Sequence, residues 1–331
     1  MSLVTEVKTD VLDINEKEVV SKITTRLRDI LRADLHKRGY VIAMSGGIDS
    51  SVSAALCVEA LGPSKVYGLL LPERDSDPVS AERGHLLAKH LGIDYELQDI
   101  APTLEAIGCY KWRDEAILST FPEYGDDWKS KIVIAGGLEG RFNHFMLVVQ
   151  NSDGEITKKR LGLKEYLQIV AATNYKQRIR KTIEYFHADR LNYAVVGTPN
   201  RLEYDQGFFV KNGDGSADVK PIAHLYKTQV YALARYLELP EEVCTATPTT
   251  DTYSLQQGQD EFYFVLPYQQ MDYALWALNH HITAKELATF LGIAESQAKK
   301  IYKDIETKRR TTAYMHAKPI LIEGLNEIKN N

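Results

Sequence analysis

The chain has 331 residues and a net charge of −5, with hydrophobic residues at 44% and charged residues at 26%. That is enough apolar material for one large domain or two small ones, and the acidic balance gives no general attraction to nucleic acid or to an anionic membrane. Cys57, Cys109 and Cys244 are far apart and form no CxxC pair, which speaks against a disulfide framework, a zinc site or a paired-thiol carrier. The N-terminus has no apolar signal region and no apolar run approaches the ~18 residues of a membrane span, so a reducing cytoplasm is the expected location.

Residues 1–15 are polar and are expected to be loosely ordered. From Glu16 to Leu35, apolar residues at Val19, Val20, Ile23, Leu27, Ile30 and Leu31 form one helical stripe. Val41–Met44 reads as a short buried strand. It runs into Ser45-Gly46-Gly47-Ile48-Asp49-Ser50-Ser51 and then a helix over Val52–Leu61. A strand, a glycine turn and a helix N-terminus present unpaired N–H donors and about half a positive charge, which suits phosphate. The loop lacks the GK[ST] ending of a Walker A motif.

Val66–Pro72 is a second strand. Val79–Leu91 is a helix closed by Gly92, Asp94–Ile100 a third strand and Thr103–Leu118 a further helix. Strands alternating with helices predict an α/β fold, a doubly wound parallel sheet flanked by helices. Ligands on such sheets bind beyond the carboxyl ends of the strands, where Ser45–Ser51 lies.

Residues 122–170 break the rhythm. Ile132–Ala135 and Phe145–Gln150 are short apolar runs, Asn151–Gly154 is a turn, and a polar run to Leu161 follows. This predicts a β-hairpin insertion outside the parallel sheet. A helix over Asn174–Leu191, a strand over Tyr193–Thr198 and an amphipathic helix over Tyr226–Leu237 resume the pattern, and residues 259–331 form a helical, polar-rich C-terminal part. No repeat or low-complexity linker divides the chain, so 1–331 is expected to be a single domain with an insertion.

The string Ser45–Ser51 is similar to the pyrophosphate-binding loop of the ATP pyrophosphatases, which split ATP into AMP and pyrophosphate. Further motifs follow in order: Asn174-Tyr-Lys-Gln-Arg178, Val195-Val-Gly-Thr-Pro-Asn-Arg-Leu-Glu203, Gly207-Phe-Phe-Val-Lys-Asn-Gly-Asp-Gly-Ser-Ala-Asp218 and Leu225-Tyr-Lys-Thr-Gln-Val230. Together they resemble the NAD synthetases over about residues 16–110 and 170–310. The resemblance implies an adenine nucleotide alpha hydrolase-like fold. It also implies a ligase that adenylates the carboxylate of deamido-NAD with ATP and transfers ammonia to give NAD, AMP and pyrophosphate.

Adenylation brings a carboxylate to the α-phosphate, two anions that repel, so Mg²⁺ is expected; it favours one or two carboxylates plus phosphate oxygens. By resemblance, Asp49 and Glu203 are those ligands, and Lys227 places a point charge on the phosphates. Ser45, Gly46, Gly47, Ser50, Ser51, Thr198 and Thr249 match positions that touch ATP. Arg178, Lys211, Asp218 and Lys308 match positions that hold deamido-NAD, whose pyrophosphate and carboxylate suit Arg and Lys. Plainer roles stand beside these: a solvated Glu203, a helix-surface Lys227, and capping threonines at 198 and 249. Phe208 and Phe209 suit either a stacked ring or the core.

The sequence departs from the family at Ser216, where GDGG reads Gly213-Asp-Gly-Ser216; at Asp260–Pro267; at Thr307, which stands for His; and in the insertion. A related adenylating amide ligase acting on another nucleotide-linked or small carboxylate is the rival reading. Thr283–Lys300 reads like a helix-turn-helix, which would fit a nucleotide-sensing DNA-binding protein, but the chain is acidic and has no basic arm. No cysteine with partners suggests a glutamine-cleaving nucleophile, and residues before Glu16 leave no room for a glutaminase domain. The nitrogen source is then free ammonia or a separate glutaminase subunit. Family members are typically homodimers, and residues 247–260 are expected to form a loop that closes over ATP.

Overall fold

The computed structural model describes residues 7–135, 144–246, 253–255, 258, 263–264 and 266–323. Helix α1 (Glu16–Asp29) opens on Asn15, whose side chain accepts from the Glu18 N–H, and ends in a π-helical turn over Ile30–Leu35. After β1 (Tyr40–Ala43), α2 (Ile48–Leu61) begins at Ile48 rather than at Val52. The apolar pattern starts late because Asp49, Ser50 and Ser51 occupy its first turn. Next come β2 (Val66–Leu70) and α3 (Pro78–Leu91), which is capped by Asp77 and closed by Gly92 at φ 66°. After β3 (Asp94–Leu97), the expected single helix is two, α4 (Ala101–Ala106) and α5 (Cys109–Thr120). They part at Gly108, whose φ of 76° lies in the left-handed region that a continuous helix cannot use.

These strands and β7 (Ala194–Val195) form a parallel sheet in the order β3-β2-β1-β7. Successive residues of a strand point to opposite faces. Tyr40, Ile42 and Met44 accordingly pack with α1, α2 and α8 (Lys227–Tyr236), whereas Val41 packs with Leu104, Tyr110 and Ala188 of α4, α5 and α6 (Leu163–Leu191). Fully burying each Ile or Leu of these layers contributes about 1.5–3 kcal/mol. Helices on both faces make the sheet doubly wound, as the alternation of elements predicts.

The insertion is a second, antiparallel sheet of three strands in the order β4-β5-β6: β4 (Lys129–Ala135), β5 (His144–Gln150) and β6 (Ile156–Arg160). The expectation of a two-stranded hairpin misses β6, whose residues Ile-Thr-Lys-Lys-Arg are all exposed and carry no apolar alternation. Ile132, Leu147 and Val149 pack on Ile117 of α5, on Phe121 just past its end and on Ile169 of α6. That contact is why α6 starts at Leu163, not at Asn174: its first turns belong to the insertion's core. Past α8, helices α9 (Glu241–Cys244), α10 (Tyr268–Asn279), α11 (Ala284–Leu291) and α12 (Glu295–His316) follow. The last three bury Met271, Leu275, Leu287, Ile301 and Ile305 against one another.

A charged network locks the turn after β2 to the helices behind it. Lys176 of α6 donates to Glu73 and to Asp75, each at 2.8 Å. Arg113 of α5 donates to Asp75 and the Tyr110 hydroxyl to Glu73 at 2.8 Å. Burial opposes ionisation of Asp75, but the charges of Lys176 and Arg113 outweigh it and hold its carboxyl below the ordinary range. Lys176 is 1% exposed, so removing it leaves the buried Glu73 carboxylate without a counter-charge and takes one of two cations from Asp75. Lys176→Met should therefore lower the unfolding free energy at pH 7 by about 3–5 kcal/mol, read from urea denaturation. Because the folded pKa of Asp75 is depressed, its contribution is present above about pH 4 and is lost as pH falls through the folded value. The gap between wild type and variant should narrow accordingly in acid; an equal urea midpoint at pH 7 would show that the network is not stabilising.

Candidate active site

The Ser45–Ser51 loop is shaped by its own hydroxyls. The Ser45 N–H donates to Ser50 Oγ at 3.3 Å, while Ser50 Oγ and Ser51 Oγ donate to the Gly47 carbonyl at 3.0 and 2.8 Å. Gly47 is the N-cap of α2 and makes no side-chain cap bond, so this helix end keeps donors for a ligand. Gly46 has φ 73°, and a Cβ there would lie 2.3 Å from the Ser80 carbonyl oxygen of α3. Only glycine lets the loop approach α3 so closely.

Lys227 begins α8 and is 2% exposed. Its ammonium donates to Asp49 in the first turn of α2. Burial alone would push Lys227 down, but the carboxylates of Asp49 and Glu203 outweigh it and hold the ammonium above its ordinary value, so it stays charged. Asn200 ties the two acids together. Its Nδ2 donates to Asp49 Oδ1 at 3.1 Å, its Oδ1 caps α7 (Arg201–Gln206), and Glu203 closes the capping box by accepting the Asn200 N–H at 3.2 Å. Asp272 of α10 supports the start of α8, accepting from the Thr228 N–H and hydroxyl at 2.7 Å and from the Lys227 N–H at 3.2 Å. Burial pushes the Asp272 carboxyl up to about 6.

A cavity of about 680 Å³ opens beyond the carboxyl ends of β1, β2 and β7, and Ser45, Gly47, Asp49, Ser50, Thr198, Glu203, Lys227 and Lys308 all line it. Gly46 and Ser51 lie just behind, one against α3 and the other fully buried. The three remaining expected substrate residues lie outside the lining. Arg178 is exposed and its Nε donates to the Lys211 carbonyl at 3.3 Å, while Lys211 Nζ donates to the carbonyl of Tyr314, itself a lining residue, at 2.7 Å. Asp218 accepts the Val195 N–H at 2.7 Å at the end of β7 and the Tyr185 hydroxyl at 3.3 Å. Lys308 is held by the Tyr263 carbonyl at 2.5 Å and by Asp304 at 2.6 Å; burial draws its ammonium below the ordinary value. Thr249 lies outside the described residues, as do 247–252, 256–257 and 259–260 of the expected loop over 247–260.

Ser216 is accommodated without strain, because the residue that must be glycine is Gly215, where a Cβ would lie 2.3 Å from the Phe209 ring. Phe208 and Phe209 both line the cavity. The helix-turn-helix-like segment Thr283–Lys300 corresponds to α11 and the first turns of α12, which bury Leu287, Ala288 and Ala298 in the C-terminal helical core; farther along, α12 gives Lys308, Thr312 and Tyr314 to the cavity and pairs Arg309 with Asp205 at 2.5 Å. Sequence reasoning passed over Asn200 and Asp272. Asn200 carries a legible signal, an N-cap residue with Glu three positions later; Asp272 sits in an ordinary helical stretch and has none.

Among the described residues, no group of three or more His, Cys, Asp or Glu is gathered as a metal cage. Two carboxylates beside a phosphate-type loop and a charged lysine instead suit a cation shared with phosphate oxygens. The sequence model of the family described as NAD synthase matches residues 19–121 and 146–312. The NH(3)-dependent NAD(+) synthetase of Rhizobium meliloti is 55% identical over 321 residues, 97% of this chain and 96% of the relative. Among solved structures, NMN synthetase from Francisella tularensis aligns with TM-score 0.62 and 22% identity, covering 93% of this chain and 99% of that one. NH3-dependent NAD synthetase from Campylobacter jejuni aligns with TM-score 0.58 and 21% identity, covering 94% and 100%. At these identities the two structures speak for a shared fold.

Gly46→Ala should cost about 1–3 kcal/mol from the left-handed backbone alone, with the clash at Ser80 added. The expected result is a lower melting temperature together with weakened ATP binding. A variant with unaltered melting and affinity would show that the loop does not need its close approach to α3.

Proposed function

The chain belongs to the NAD synthase family, and from that premise we propose how its cavity works. The enzyme is an ATP-dependent carbon–nitrogen ligase that amidates deamido-NAD to NAD with ammonia. The observation that carries the site assignment is the meeting of Asp49, Glu203 and Lys227 with the Ser45–Ser51 loop in one cavity.

The loop N–H groups and the start of α2 bind the pyrophosphate portion of ATP. Lys227, kept charged by its two carboxylates, offsets phosphate charge. Asp49 and Glu203 would hold Mg²⁺, which supplies neutralisation of the phosphates when bound. A carboxylate oxygen of deamido-NAD then attacks the α-phosphorus; the new O–P bond forms as the bond to pyrophosphate breaks. Ammonia attacks the acyl carbon, the C–N bond forms, AMP leaves with the electron pair of the C–O bond, and the nitrogen sheds a proton. Arg178, Lys211, Asp218 and Lys308 serve deamido-NAD; of these, Lys308 lines the cavity and Lys211 reaches the lining residue Tyr314. Thr198 faces ATP from the end of β7, and Thr249 is assigned to ATP by its sequence position.

Support for a homodimer comes from α5 and α6, which expose Trp112, Leu163, Leu167 and Phe186 at 47%, 73%, 54% and 62%. Large apolar side chains left exposed on neighbouring helices are the kind of surface a partner subunit covers. We place the enzyme in the cytoplasm; no described helix is long and apolar enough to cross a membrane.

With ATP, Mg²⁺, ammonia and deamido-NAD, the enzyme should form NAD, AMP and pyrophosphate in equal amounts; ADP and phosphate as products would overturn the reading. Asp49→Asn should lower kcat/KM on the order of 10³-fold, the loss of several kcal/mol of charge stabilisation. Light scattering should give twice the 37.4 kDa chain mass, and Phe186→Asp with Leu167→Asp should yield monomer. A wild-type monomer at micromolar concentration would remove the dimer.

A further inference from the structure

The family's sequence model leaves residues 122–145 unmatched. That span holds β4 and the start of β5, and it is not remote from the chemistry. Ile134 and Phe145, directly opposed across β4 and β5, both line the cavity that contains Asp49, Glu203 and Lys227. The Phe145 ring stacks on Tyr166 of α6, with centroids 3.9 Å apart and planes at 15°. Val170 of α6 continues the same wall.

The sheet also places a third aromatic side chain. The Ser130 N–H on β4 donates to Ser254 Oγ at 2.9 Å, and the Leu255 N–H donates to the Ser130 carbonyl at 3.2 Å. These bonds dock the neighbouring Tyr253, 7% exposed, against the insertion's core, where it too lines the cavity. The cavity is therefore two-sided in character, with charge at Asp49, Glu203 and Lys227 and an apolar, aromatic wall built by the insertion.

We propose that the three-stranded sheet is a substrate-binding element, and that the Ile134–Phe145–Tyr166–Tyr253 wall holds a planar heterocycle of a nucleotide substrate. A nucleotide pairs a flat ring with phosphates, which matches a wall of this kind facing a phosphate site. Two nucleotides enter this cavity, ATP and deamido-NAD, and both carry such rings. The inference rests on the reading that the cavity binds them.

The test titrates ATP and deamido-NAD separately into wild type, Phe145→Ala and Phe145→Trp by calorimetry, with steady-state KM and kcat alongside. Ring stacking on one aromatic side chain predicts about a tenfold loss of affinity in Phe145→Ala, with kcat little changed and affinity recovered in Phe145→Trp. Loss confined to ATP assigns the wall to adenine; loss confined to deamido-NAD assigns it to that substrate. Should Phe145→Ala fail to fold, Phe145→Leu keeps the volume and removes the ring. Unchanged affinity for both nucleotides in a folded variant, or a fall in kcat alone, overturns the inference. A wild type that binds neither nucleotide overturns the functional reading instead.

Discussion

A lysine ammonium cannot sit almost fully buried without a counter-charge. Lys227 meets that requirement with Asp49, and the pairing fixes the start of α2 against the start of α8. Asn200 then draws in α7 and Glu203, while Asp272 braces α8 from α10. Four helices thus converge on one ion pair because the cost of leaving it unmade is large. The arrangement that satisfies the fold is the arrangement that gathers charge at the cavity.

Much of this was legible in the residues. The apolar runs of β1 and β2 and the Gly46-Gly47 turn predict the strand, loop and helix that form, and alternation along β1 assigns its side chains to the two layers. The charged centre was named because motif strings carry it. What escaped has physical reasons. Asp272 acts by capping a helix that is distant in sequence, which no local pattern reports. The first half of α6 and strand β6 were missed because insertion contacts, not periodicity, define them. Arg178, Lys211 and Asp218 are held by backbone groups outside the cavity lining, a distinction that spacing cannot make.

The insertion shows how an added element can enter a site without touching its reactive groups. Its strands pack on α5 and α6, so the stack of Phe145 on Tyr166 is fixed by the same core that holds the sheet in place. The parallel sheet supplies the charged end of the cavity and the antiparallel sheet part of its apolar end. Residues at the two ends can therefore vary separately in sequence.

The network around Lys176 has a consequence for how the protein comes to exist. Lys176 and Glu73 lie 103 residues apart in the chain, with the whole insertion between them. The turn after β2, which carries Pro72, Ser76 and Asp77 to the cavity, can be held by Tyr110 and Arg113 of the nearby α5, but it gains the Lys176 counter-charge only once that long segment has collapsed into place. Closing so large a loop costs entropy before any contact repays it, so the Lys176 contacts are among the later ones to form as the chain folds. A nucleotide that recognises only the finished wall binds the native state and not the open chain. Its presence in the cell then adds to the enzyme's resistance to unfolding in proportion to the logarithm of its concentration.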